Sequence, residues 1–68
     1  MAYNMYKQIS KIRESLETKE YKKDIPLEIF GRELMLMFGM RKKKAREWIY
    51  IFEDVDLIKI ENECINYL

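Results

Sequence analysis

The sequence predicts a mainly α-helical domain closed by a small C-terminal β-hairpin, and three observations lead to it. Apolar residues recur at spacings of three and four from Met5 to Leu16, from Leu27 to Phe38 and from Ala45 to Val55, the period of helices that bury one face. The final stretch, DLIKIENECINYL, changes to a period of two, which is that of a half-buried strand. Pro26 and Gly39 stand at the joins, where a chain changes direction.

Helix 1 is expected over about residues 3–20, with Met5, Ile9, Ile12 and Leu16 on one face. The polar connector YKKDIP then ends in a proline whose fixed φ and missing amide suit a first helical turn. Helix 2 is expected over about residues 26–38, burying Leu27, Phe30, Leu34, Met37 and Phe38. Gly31 lies at the edge of that face, and because an interior glycine costs about 1 kcal/mol relative to alanine, its expected use is close approach to a neighbouring helix. Gly39 is placed to end helix 2 in a left-handed conformation.

Helix 3, about residues 41–55, is expected to bury Ala45, Trp48, Phe52 and Val55 and to present Lys42, Lys43, Arg46, Glu47 and Tyr50 on its opposite side. The hairpin, about residues 57–68, turns at Asn62 and Glu63, which sets Ile60 against Ile65 and Ile58 against Tyr67. Lys59, Glu61, Cys64 and Asn66 fall on the other side.

Composition sets outer bounds. With 68 residues, 49% hydrophobic and 37% charged, the chain is expected to form a single domain, 1–68, with the balance of a water-soluble protein. Its apolar runs are too short to cross a bilayer and no basic-then-apolar leader precedes helix 1, so the expectation is a cytoplasmic protein without membrane contact. Cys64 is the single cysteine and there is no histidine, which argues against an internal disulfide, a tight metal site or a cofactor. Without a phosphate-cradling glycine loop or a base beside Cys64, an enzyme is not expected. Cys64 reads as an inert strand residue.

The net charge of +1 conceals a sharp segregation. Residues 41–47 hold five basic and one acidic side chain, whereas residues 48–68 hold one basic and five acidic. The stretch GMRKKKAREW therefore opens a helix with consecutive cations, although the helix dipole makes cations there unfavourable by a few tenths of a kcal/mol each. An anion delivered to that end would meet both the side chains and the exposed amides.

A helix-turn-helix pattern has a turn glycine, a small or apolar residue four before it, apolar neighbours, and apolar residues six and nine after it. Here these are Met35, Gly39, Phe38 with Met40, Ala45 and Trp48. With the downstream hairpin, residues 25–68 resemble the winged helix-turn-helix DNA-binding domain family, and helix 1 matches its remaining helix. Met35 departs from the alanine common at its position, and Arg41 stands where Ser, Thr or Asp usually caps the third helix.

The resemblance implies that helix 3 enters the major groove of double-stranded DNA with its N-terminal residues leading. Arg41, Lys42 and Lys44 would then hold phosphates, Lys43 and Arg46 would reach guanine O6 and N7, and Tyr50 would contact sugar or phosphate. Glu53, Asp54 and Asp56 are at the far end of the helix and read as solvated. Glu61 and Glu63 flank the hairpin tip and would repel phosphate, so the wing is expected to be structural or to meet a protein.

On helix 2, Ile29 and Leu36 are expected opposite the core face with Met35 beside them, and Tyr3 and Tyr6 of helix 1 would extend that stripe. A homodimer is therefore the economical expectation, since two half-sites raise specificity and a small fold gains buried surface. The function expected is that of a small transcriptional regulator. The alternative is a protein-interaction adapter in a larger assembly, joined through helix 2 or the wing.

Overall fold

The computed structural model describes residues 5–68 and contains six elements. In chain order they are α1 (Met5–Thr18), β1 (Ile25–Pro26), α2 (Leu27–Phe38), α3 (Lys42–Asp54), β2 (Ile58–Glu61) and β3 (Cys64–Tyr67). The strands form one antiparallel sheet in the order β1-β3-β2. Three helices closed by a C-terminal sheet agree with a winged-helix layout.

Helix α1 buries Met5, Ile12 and Leu16 and ends two residues before the expected Glu20. The reason is local. Glu20 takes a left-handed φ of 70°, and the Tyr21 amide reaches back to the Leu16 carbonyl at 2.8 Å, which closes the helix as a Schellman cap. A non-glycine residue there costs about 1 kcal/mol. Asp56 does the same after α3, with φ 61° and the Leu57 amide bonded to the Phe52 carbonyl at 2.9 Å.

Pro26 does not open helix 2; it occupies the N-cap position, with φ −55° and ψ 138°, and belongs to strand β1. This strand was not expected. It pairs Ile25 with Ile65 at the sheet edge, where a proline without an amide is tolerated. The Leu27 amide, one of the orphan donors of a helix start, is taken up by the Glu63 carbonyl of the hairpin turn at 2.9 Å.

The core joins every element: Ile12 and Leu16 of α1, Ile25 of β1, Phe30 and Leu34 of α2, Ala45, Ile49 and Phe52 of α3, Ile58 of β2 and Ile65 of β3. Burying an aliphatic or Phe side chain of this kind stabilises by about 1.5–3 kcal/mol. Two residues expected in this core lie outside it. Met37 is 37% exposed because it lies in the last turn of α2, beside the Gly39 cap. Val55 is 45% exposed because α3 has ended at Asp54. Ile49 takes the inward place on α3, while Trp48 is half-buried, its ring 5.9 Å from Phe52 and 6.3 Å from Tyr6.

On α2 the inward stripe includes an unexpected carboxylate, Glu33, which is only 4% exposed. It is satisfied: Lys19 Nζ donates to Oε1 at 2.7 Å and Ser15 Oγ donates to Oε2 at 2.8 Å. Burial alone would raise its pKa, but these two hydrogen bonds and the Lys19 charge together hold it below the ordinary carboxylate value.

The hairpin has the expected register, Ile60 opposite Ile65 and Ile58 opposite Tyr67. Asn62 and Glu63 both take positive φ, 53° and 59°, which is the type I′ geometry that matches strand twist. Asn66 fastens β3 to the connector before β1, accepting from the Asp24 amide at 2.8 Å and donating to its carboxylate at 3.0 Å.

Candidate nucleic-acid interface

The orientation of α3 follows from its buried residues. With Ala45, Ile49 and Phe52 held in the core, the rotation of about 100° per residue turns Lys43, Arg46 and Tyr50 outward. All six expected contact residues, Arg41, Lys42, Lys43, Lys44, Arg46 and Tyr50, are exposed. Lys42, Lys43 and Arg46 line one shallow surface. Tyr50 continues it one turn along from Arg46. Lys44 does not join them; four residues before Trp48, it lies on the flank that carries that ring.

The end of the helix is open. Arg41 is extended, with φ −82° and ψ 162°, and makes no side-chain cap. The Arg41 carbonyl accepts from the Ala45 amide at 2.9 Å, so the preceding amides of the first turn lack intrahelical partners. No acidic residue lies in that turn, and among the described residues no ion pair involves Arg41, Lys42, Lys43, Lys44 or Arg46.

Beside this surface, the start of α3 and one side of α2 enclose a half-open groove of about 280 Å³ lined by Leu27, Glu28, Gly31, Arg32, Met35, Lys42 and Arg46. Arg32 was missed in the sequence. Its signal was its place two residues after Phe30, which turns it away from the core, but its proximity to Lys42 depends on how the two helices cross. Gly31 has a different role from the one expected. A Cβ there would meet only Ile49 Cδ1, at 3.8 Å, an ordinary contact, so helix packing does not require the glycine.

The acidic end of α3 is partly structural. Glu53 Oε2 accepts from the Ile60 amide at 3.2 Å, joining α3 to β2, which corrects the view of Glu53 as merely solvated. Asp54, Asp56, Glu61 and Glu63 are exposed, and Glu61 pairs with Lys59 at 3.4 Å. The wing tip therefore remains acidic.

The expected partner stripe is broken. Ile29 and Met35 are half-buried and packed against the core, since Ile29 lies only about 100° from Phe30 around the helix, on the flank rather than opposite. Leu36 is 70% exposed, with Met37 beside it. Tyr6 is exposed on one side but packs edge-on against Trp48, and Tyr3 lies outside the described residues. Among those residues no helix is long and apolar enough to cross a membrane. Comparison with protein-family models, with curated proteins and with solved structures finds no match for this chain, so the reading of the site rests on its residues and their geometry.

Proposed function

We propose that this chain is a winged helix-turn-helix protein that binds double-stranded DNA, working as a small cytoplasmic transcriptional regulator whose helix α3 enters the major groove. The observation that carries this reading is the unpaired cationic surface of Lys42, Lys43 and Arg46 at an uncapped helix start. A phosphate there gains side-chain charge and backbone donors together, which offsets the unfavourable dipole of a basic first turn. Arg46 and Lys43 read guanine edges, while Arg41, Lys42 and Arg32 hold phosphates and fix the register. Lys44, on the other flank, reaches only a neighbouring phosphate. The acidic wing stays off the duplex.

A homodimer would present two such helices to adjacent half-sites. The exposed Leu36 and Met37 at the end of α2 are the surface for it, rather than the longer stripe through Ile29 and Met35.

A second reading, a protein-interaction adapter, is favoured by the same exposed pair and by the acidic hairpin tip. Reversing charge with Lys42→Glu and Lys43→Glu separates the two. These side chains are exposed, so the fold is kept, and a DNA binder loses at least about a hundredfold in affinity. Unchanged DNA affinity in the folded double variant defeats the DNA reading and leaves the adapter.

A further inference from the structure

We infer that the groove between α2 and α3 is a binding site for a small amphipathic anion, a molecule with one carboxylate or phosphate group on a compact apolar body. Three features of the groove converge. Its floor is apolar, formed by Leu27, Gly31 and Met35, and its walls carry Arg32, Lys42 and Arg46 against the single carboxylate of Glu28. None of these three cations has an ion pair among the described residues. Three cations against one carboxylate leave the groove with a net positive charge, and an anion between them relieves the remaining repulsion while its body covers the apolar floor.

Gly31 is the third feature. Glycine within a helix costs about 1 kcal/mol relative to alanine, and neither backbone nor packing calls for it: its φ is not positive and an added Cβ meets only Ile49 Cδ1 at 3.8 Å. What the missing side chain does is keep the groove floor open. The space, about 280 Å³, is just under the range of about 300–1,000 Å³ typical for drug-sized ligands, which selects an occupant of bicyclic size or smaller.

This site stands on its own geometry. If the DNA reading also holds, ligand and duplex share Lys42 and Arg46 and compete, but the direct titration contains no DNA, so failure of one reading is distinct from failure of the other. The full chain is titrated with naphthalene-2-carboxylate while its backbone amide resonances are followed. Saturable shifts are expected at Gly31, Arg32, Lys42 and Arg46, with a dissociation constant below about 1 mM. The uncharged naphthalene-2-carboxamide should bind about tenfold more weakly, as should the carboxylate to Arg32→Gln, an exposed position whose change leaves the fold intact. Gly31→Leu should abolish binding by filling the floor, in a protein whose circular dichroism and urea unfolding show it folded. No saturable shift at these residues, equal affinity for the carboxylate and the amide, or unchanged binding by Arg32→Gln overturns the site.

Discussion

Lys19 Nζ lies 2.7 Å from Oε1 of the buried Glu33, and this pair joins the end of α1 to the middle of α2. Lys19 is itself half-exposed, so the pair is weaker than a fully buried one. Lys19→Met should therefore cost about 1 kcal/mol at neutral pH. The Glu33 pKa is lowered by folding, so its contribution is present above the ordinary carboxylate value and is lost as pH falls through its lower folded value. Urea unfolding of both proteins against pH should show the two converging in acid. A gap that persists unchanged there would contradict the assignment.

Tyr67 has the opposite sign. Burial pushes its phenol up to about 12, with the Arg13 cation opposing, and its hydroxyl has no hydrogen-bond partner among the described residues. Arg13 lies 4.8 Å over the ring, an interaction that phenylalanine keeps. Tyr67→Phe should thus be neutral to stabilising, by up to about 1 kcal/mol, because it removes an unsatisfied polar group. A raised acid pKa gives stability that is complete below the unfolded value near 10 and lost as pH rises towards 12. The advantage of the variant over the parent should grow across that window in thermal unfolding.

The two glycines respond oppositely. Gly39 has φ 65° with nothing within 4 Å of an added Cβ, so Gly39→Ala meets only the backbone penalty, about 1 kcal/mol of lost stability. Gly31→Ala meets neither strain nor clash and should gain up to about 1 kcal/mol in helix propensity. Denaturant titrations of the two variants give opposite shifts in midpoint.

Several parts of this arrangement could be read from the residues because they depend on short-range period. The hairpin register followed from alternating Ile58, Ile60, Ile65 and Tyr67, since a slip of one residue would expose all of them. Exposure of Lys42, Lys43 and Arg46 followed from the stripe through Ala45 and Phe52. Trp48 and Ile49 both fit a stripe of threes and fours, so their relative burial did not follow. Glu33 occupies an inward position between Phe30 and Leu34, and only its charge concealed it. Strand β1 has two residues, one a proline, and exists because β3 lies beside it. The groove around Gly31 depends on how two helices cross, which no local pattern encodes.

DNA affinity against salt concentration, for the parent and for Lys42→Gln, decides whether the basic start of α3 receives phosphates as proposed. Log K should fall linearly with log salt, with a slope magnitude of about 4–5 for the roughly four to six cations around this surface, reduced by about 1 in the variant. Negligible affinity at low salt, or a slope that Lys42→Gln leaves unchanged, would rule out a phosphate-binding role for this helix start.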